Sequence, residues 1–301
     1  MLGDWTKANN IMPLFKFATY PITKRLRWVM IGSILFSVVN TLVGQPANFW
    51  HHPETAIRGD GLSIYNPTNH TFYFCLGFGW SAYLATSLIY LSGAFLFVSL
   101  LPRRAALVAI FSFIFGHFFG ATNWLATRWH LGTNASSIYA LVLVPVIVFS
   151  AFPTLRPNTD QIIKRMYWVM VGAMLCDMIC TLLGQPAGYW LHPETAHEAN
   201  PVSRFFLTQG WYAFVFMFVC FFAGIFWLVS MLSRRSALMI VFFFMLGNFV
   251  GASCWLFYEW RMGMETPVIL GIILSVIIVR SAFSTPINES AQDLGSSTPA
   301  A

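Results

Sequence analysis

A carboxylate, an imidazole and two amides lie inside long apolar segments of this 301-residue chain, and they are the first candidates for chemistry. Asp177 is near the middle of one segment, His117 lies between two glycines of another, and Asn248 and Asn40 lie in two more. A charged side chain at the centre of a bilayer costs about 2.5–3.5 kcal/mol on insertion scales, so such groups commonly mark a substrate or ion pathway. The sequence therefore predicts a pathway or pocket lined by these four residues. The alternative for His117, Asn248 and Asn40 is interhelical hydrogen bonding that holds the helices together.

A second group of candidates lies in a repeated loop motif, in which histidine and glutamate flank a proline. The two copies read Trp-His-His-Pro-Glu-Thr at 50–55 and Trp-Leu-His-Pro-Glu-Thr at 190–195. Imidazole and carboxylate groups at this spacing could bind a divalent metal ion at the outer loops. The candidate ligands are His192, Glu194, His197, His52 and Glu54. The structural alternative is that proline forces a turn and glutamate caps backbone N–H groups.

No other cofactor is predicted, because the sequence has no His-Glu-x-x-His motif, no Gly-rich phosphate loop and no Cys-x-x-Cys-His haem motif. All five cysteines lie in apolar segments. Cys176 and Cys180, one helical turn apart, could form a metal or redox pair, but we interpret them as packing residues.

The composition excludes a soluble globular domain. Hydrophobic residues make up 57% of the chain and charged residues only 9%, and the mean hydropathy is +0.65. An ordinary soluble domain has roughly 25% charged residues. A membrane-spanning helix needs roughly 20 apolar residues. Eight segments meet this requirement, at about 28–44, 73–101, 105–126, 136–152, 167–184, 205–232, 236–258 and 267–283. The second and sixth are longer than a bilayer requires, which indicates tilt or an interfacial extension.

The chain contains an internal duplication. Residues 25–56 and 165–196 align without a gap, with 18 of 32 positions identical, including Gly-Gln-Pro-Ala at 44–47 and 184–187. Further on, residues 115–125 match 246–256, and Ser-Ala-Phe ends both copies at 150–152 and 281–283. The fold predicted is therefore an all-α polytopic membrane protein whose eight transmembrane helices form two four-helix repeats.

An even number of helices in each copy predicts parallel repeats, related by pseudo-two-fold symmetry about an axis along the membrane normal. The predicted organisation is an N-terminal cytoplasmic or interfacial segment (1–24), a first repeat (25–152), a cytoplasmic linker (153–164), a second repeat (165–283) and a disordered cytoplasmic tail (284–301). Glycines recur as Gly116-x-x-x-Gly120 and Gly247-x-x-x-Gly251, and such small residues let helices approach closely. We therefore expect the third and seventh spans to pack near the axis, against each other.

The basic residues predict the orientation. Thirteen of the seventeen lysines and arginines fall on the side that carries both termini, and only Arg58, Arg128, Arg204 and Arg261 fall on the other. The positive-inside rule then places both termini in the cytoplasm, and we expect the bacterial cytoplasmic (inner) membrane. The net charge of +6 thus reflects topology and attraction for anionic lipid, and no nucleic-acid partner is expected. The expected partners are membrane lipids, with other membrane subunits or a homo-oligomer as further possibilities.

Three classes of function remain open. The first hypothesis is a transporter or permease of undetermined substrate, with a pathway or pocket between the two repeats. The second is a non-catalytic subunit or scaffold of a larger membrane complex. The third is a membrane-embedded enzyme with an outward-facing His/Glu site, and the absence of a catalytic motif leaves enzymatic activity undecided.

Overall fold

The computed structural model describes residues 21–56, 74–155, 158–263 and 265–283, and within these ranges the chain is helical with no strand. The α-helices are α1 (Pro21–Val43), α2 (Trp80–Leu100), α3 (Arg103–Arg128), α4 (Asn134–Ala151), α5 (Thr159–Leu183), α6 (Pro201–Thr208), α7 (Trp211–Met231), α8 (Arg234–Cys254) and α9 (Glu265–Phe283). All except the short α6 are long and apolar enough to cross a membrane. The prediction of eight spans is therefore confirmed, and the chain is an integral membrane protein. Residues 1–20 of the predicted N-terminal segment (1–24) and the predicted tail (284–301) lie outside the described residues, whereas residues 21–24 belong to α1.

The two overlong apolar segments each contain a break at a glycine. Residues 74–77 form a separate helical turn before α2, and α6 is separate from α7. At the breaks, Gly79 and Gly210 have φ angles of +103° and +111°, a backbone conformation that glycine adopts at little cost. The extra length therefore belongs to a short helical segment next to each span, and tilt or an interfacial position of these segments stays a prediction.

The helices form an inner and an outer set. In α3 and α8, 56% of the residues in the most apolar 18-residue stretch are buried, against 28% in α2 and 17% in α7. Helix α1 packs on α3, and α5 packs on α8. Helix α9 packs on α3 and α5, and α4 packs on α8 and α1. The core is thus built around α3 and α8, whereas α2 and α7 have mostly exposed apolar surfaces.

Helices α3 and α8 touch each other through phenylalanine rings. The ring centroids of Phe115 and Phe249 are 5.0 Å apart, and those of Phe111 and Phe242 are 6.5 Å apart. A Cβ atom added to Gly116, Gly120 or Gly247 would meet no neighbouring atom within 4 Å. The prediction that small residues mediate this helix contact is therefore wrong; large aromatic side chains fill the space instead.

The repeated Gly-Gln-Pro-Ala motif ends α1 and α5 and starts two short 3-10 turns in each loop, Ala47–Trp50 and Pro53–Thr55 in the first and Ala187–Trp190 and Pro193–Thr195 in the second. A Cβ atom on Gly44 would collide with the indole of Trp124, and one on Gly184 with the indole of Trp255. Neither glycine has a positive φ angle, so the requirement is for space. The glycine of the motif thus lets a tryptophan near the outer end of α3 or α8 pack on the preceding helix.

We expect Gly44→Ala and Gly184→Ala each to lower the free energy of unfolding by about 1–3 kcal/mol, because the added methyl group overpacks a tryptophan contact. The measurement is the thermal unfolding midpoint of the purified protein in detergent. Gly93→Ala is the control, because a Cβ atom there meets nothing within 4 Å. Equal midpoints for all three variants would contradict the packing role of the two glycines.

Candidate functional site

Asp177 lies on α5 with its carboxylate directly against the backbone of α8. A Cβ atom added to Gly251 would be 2.5 and 2.6 Å from the two carboxylate oxygens, so only glycine leaves room for them. No residue in the described part of the chain donates a hydrogen bond to Asp177 or forms an ion pair with it. A carboxylate without a partner in a membrane-spanning helix is energetically costly, which singles this residue out.

The other three predicted pathway residues each have a hydrogen bond elsewhere. The His117 Nε2 atom lies 3.2 Å from the Tyr90 hydroxyl, which joins α3 to α2. The Asn40 amide donates to the Ala121 carbonyl at 3.4 Å, which joins α1 to α3. The Asn248 amide donates to a carbonyl one turn back on its own helix, at 2.7 Å. Within the part of the chain that the structure describes, none of the four predicted residues hydrogen-bonds to another, and Asp177 is the one of the four without a partner.

The loop after the second Gly-Gln-Pro-Ala motif is tied to the outer ends of α5 and α8. The Gln185 amide donates to the His197 carbonyl at 2.9 Å, and the His197 N–H donates back to the Gln185 side-chain oxygen at 2.8 Å. The His197 Nδ1 atom is also 3.5 Å from a carboxylate oxygen of Glu259. Glu259 belongs to a π-helical turn, Trp255–Glu259, that extends α8, and π turns occur frequently at functional sites.

Glu198 is a second acidic group close to Asp177. Its side chain is half-buried and accepts a hydrogen bond from the Asn200 N–H at 2.8 Å. Burial raises the pKa of Glu198 above its usual range, and its backbone hydrogen bonds and His197 only partly oppose this. Glu198 is within electrostatic range of Asp177 and of the Cys254 thiol. The outer end of the α5–α8 pair therefore has an acidic character.

Four of the five predicted metal ligands form two separate His–Glu pairs, and the fifth, His197, pairs with Glu259. The Nδ1 atom of His52 is 3.0 Å from Glu54, and that of His192 is 3.2 Å from Glu194, both on exposed turns. His197 pairs with Glu259 and not with the other histidines. Within the described ranges, no three His, Cys, Asp or Glu side chains are grouped so that they could hold a metal ion. Metal binding by these residues stays a prediction.

A cavity of about 310 Å³ lies between α5, α8 and α9. It is lined mainly by apolar side chains, with the Asn248 amide and the Cys176 thiol as the exceptions. Cys176 precedes Asp177 in the chain, and Ala252, which also lines the cavity, follows Gly251. The cavity therefore adjoins the Asp177–Gly251 contact.

Sequence reasoning missed Gly251 as the neighbour of Asp177, Glu198 as a second acidic group, and the cavity. The available signal was the difference between the two copies. Asp177 aligns with Ser37, and Glu259 aligns with Arg128. Both differences make the second copy more acidic than the first at aligned positions.

Comparisons with known proteins add no family to this picture: the chain matches no protein-family model, no curated protein and no solved structure. The function must therefore be inferred from the geometry of the site.

We expect Gly251→Ala to displace the Asp177 carboxylate and to lower the free energy of unfolding by about 1–3 kcal/mol, because the new methyl group occupies the space of the carboxylate oxygens. Gly120→Ala is the matched control, since Gly120 aligns with Gly251 and has no atom within 4 Å of an added Cβ. Thermal midpoints in detergent measure both variants. The contact would be refuted if Gly251→Ala and Gly120→Ala had the same midpoint, or if Asp177→Ser, which removes the carboxylate, left the difference between them unchanged.

Glu198 is expected to make the stability of the protein depend on pH. Its folded-state pKa is raised, so the folded protein binds more protons than the unfolded chain between the ordinary glutamate pKa and the raised value. The contribution of Glu198 to stability is thus fully present below the ordinary pKa and is lost as the pH rises through that interval. We expect the thermal midpoint of Glu198→Gln to fall less steeply than that of the wild type over this range. Parallel profiles would contradict the burial of Glu198.

Proposed function

We propose that this integral membrane protein is a transporter of the permease type, in which Asp177 holds the transported cation. The observation that carries the proposal is the carboxylate against Gly251, which no described residue neutralises. An ionised carboxylate inside a membrane helix needs a counter-charge, and a proton or a metal cation supplies one without a permanent partner. A structural role alone would be fulfilled at lower cost by serine, which the first copy has at Ser37.

The proposed route for the cation leads from the outer end of α5 and α8. Glu198 and Glu259 lie at that end, and acidic groups at the mouth of a cleft raise the local concentration of cations. At the position that aligns with Glu259, the first copy has Arg128, which lies 5.7 Å from the ring of Trp124 and would repel cations. We therefore place the site within the second copy, which is narrower than the sequence-based expectation of a pathway between the two copies.

The proposal also includes two parallel four-helix repeats. Corresponding pairs of helices support it: α1 packs on α3 as α5 packs on α8, and α4 packs on α8 as α9 packs on α3. The glycine–tryptophan contacts agree as well, since Gly44 meets Trp124 and Gly184 meets Trp255. In this arrangement both copies have the same frame, and the functional difference lies in the residues placed on it.

For orientation, we propose cytoplasmic termini in the bacterial inner membrane. The support is the distribution of basic residues described above, in particular the Arg103–Arg104 and Arg234–Arg235 pairs at two hairpins on the same side. The acidic end of α5 and α8 then faces the outside. A cation would enter from that face.

The test uses full-length protein in liposomes that contain pyranine, a pH-sensitive dye. A potassium diffusion potential set by valinomycin, negative inside, drives protons inward, and parallel vesicles report uptake of ²²Na⁺. We expect wild-type protein to carry one of these two cations, and Asp177→Asn to reduce that flux about tenfold or more, because the amide bears no charge to hold the cation.

Ser37→Ala is the matched control at the aligned position of the first copy, and its flux should equal that of the wild type. Thermal midpoints of all three proteins verify folding. Absence of both fluxes in the wild type, or equal flux in folded Asp177→Asn, would refute the proposed cation-carrying role.

A further inference from the structure

We propose that the cavity between α5, α8 and α9 is a binding site for one anionic phospholipid. Its acyl chain would occupy the cavity, and its phosphate would bind the basic residues Lys164, Arg165 and Arg280. This inference does not depend on Asp177 or on transport, because it uses other residues and another chemistry.

The cavity has a wall that faces the surrounding membrane. Three of its lining side chains are strongly exposed on the surface of the bundle: Trp168 at 64%, Ile273 at 51% and Ile277 at 42%. A cavity of about 310 Å³ with apolar walls does not bind water well, because water needs polar partners. In a bilayer, the apolar molecule that reaches such an opening is a lipid chain.

Basic residues continue the lining of the cavity toward one end of the bundle. On α5, Lys164, Trp168, Gly172 and Cys176 follow one another at intervals of four residues, so they lie along one face of the helix. The last three of these line the cavity, and Lys164 lies one turn beyond it. A bound chain that enters at Trp168 therefore has a cation next to its headgroup.

Helix α9 supplies a cation at the same end. The chain direction reverses between α5 and α9, so the start of α5 lies near the end of α9, and the two helices pack together. Arg280 follows the cavity-lining Ile277 by three residues and lies on the same face. Lys164, Arg165 and Arg280 are all exposed, and no described acidic residue pairs with them. Basic pockets of this kind between helices bind anionic headgroups.

The first copy lacks the cavity and the third cation, although it keeps Lys24 and Arg25 at the positions of Lys164 and Arg165. At the position of Cys176 it has Phe36, and at the position of Leu270 it has Tyr139. These two rings stack with centroids 4.5 Å apart, so they fill the space that is empty in the second copy. At the position of Arg280 the first copy has Phe149. The cavity and its third cation thus occur together in one copy and are missing together in the other.

The test is native mass spectrometry of the full-length protein in detergent, titrated with dioleoyl phosphatidylglycerol or with dioleoyl phosphatidylcholine. We expect one phosphatidylglycerol molecule to bind about tenfold or more tightly than phosphatidylcholine, because attraction for basic residues adds to chain burial. The triple variant K164Q/R165Q/R280Q should lose this preference. Inorganic phosphate should not displace the lipid, because it lacks the chain.

A second variant fills the cavity. Gly172 lines it, and a Cβ atom there meets nothing within 4 Å, so Gly172→Leu is the variant chosen to fill the cavity from α5. We expect about a tenfold loss of phosphatidylglycerol binding. The double variant C176F/L270Y, which introduces the residues of the first copy, should have the same effect and replaces Gly172→Leu if that variant does not fold.

The matched controls are the aligned substitutions K24Q/R25Q and Gly32→Leu in the first copy, and they should bind phosphatidylglycerol like the wild type. Wild-type preference for phosphatidylcholine, equal binding of the two lipids, or unchanged binding in a folded cavity-filled variant would each overturn the site. The site would also be overturned if the first-copy control variants lost phosphatidylglycerol binding to the same extent. These readouts measure lipid binding, so they are independent of cation flux.

Discussion

A lipid bilayer offers no hydrogen-bond partners, and this constraint determines how each polar side chain in the bundle is placed. Several hydroxyl and amide groups satisfy it locally, because they can donate to a carbonyl one turn earlier in the same helix. Thr86, Ser112, Ser275 and Asn248 all do so, at 2.6–2.9 Å. An ionised carboxylate can only accept, and the N–H groups within a helix are already used. The Asp177 carboxylate therefore cannot be satisfied by a carbonyl of its own helix, and its charge must be balanced from outside the helix. A buried hydroxyl without a partner among the described residues, such as that of Ser253, carries no charge and is less costly.

The two copies of the sequence share the same helix-packing contacts and differ in the side chains around those contacts. Each copy uses a glycine to seat a tryptophan, Gly44 with Trp124 and Gly184 with Trp255. Around this shared contact the second copy has a smaller side chain, Cys176, where the first copy has Phe36. It also has acidic residues where the first copy has neutral or basic ones. A duplicated frame tolerates such exchanges because the contacts that hold it together lie elsewhere, in the phenylalanine-rich packing of α3 and α8.

Hydropathy was sufficient to predict the eight spans, since length and apolar content are the only properties a lipid-embedded helix needs. The sequence also predicted Asp177 as a candidate, because a carboxylate in such a segment is recognisable without a structure. It did not predict that Gly251 adjoins the carboxylate, because four glycines have the same spacing pattern and only helix packing distinguishes them. The cavity was equally hidden: Cys176 and Leu270 are ordinary apolar residues, and their small volume matters only once three helices surround it.

The cavity and the carboxylate are neighbours along α5 and α8, although Asp177 does not line the cavity, and this has an electrostatic consequence. Cys176 lines the cavity and precedes Asp177, while Ala252 lines it and follows Gly251. A lipid chain in the cavity would keep water away from this part of the two helices, so the surroundings of Asp177 would have a low dielectric constant on that side. The attraction between the carboxylate and a cation is stronger in such surroundings than in water. Access for a hydrated cation would then remain only at the outer end, where Glu198 and Glu259 lie. The lipid at one side of α5 and the acidic residues at its outer end would thus act together. The lipid would limit where water reaches Asp177, and Glu198 and Glu259 would attract a hydrated cation to the end that stays accessible.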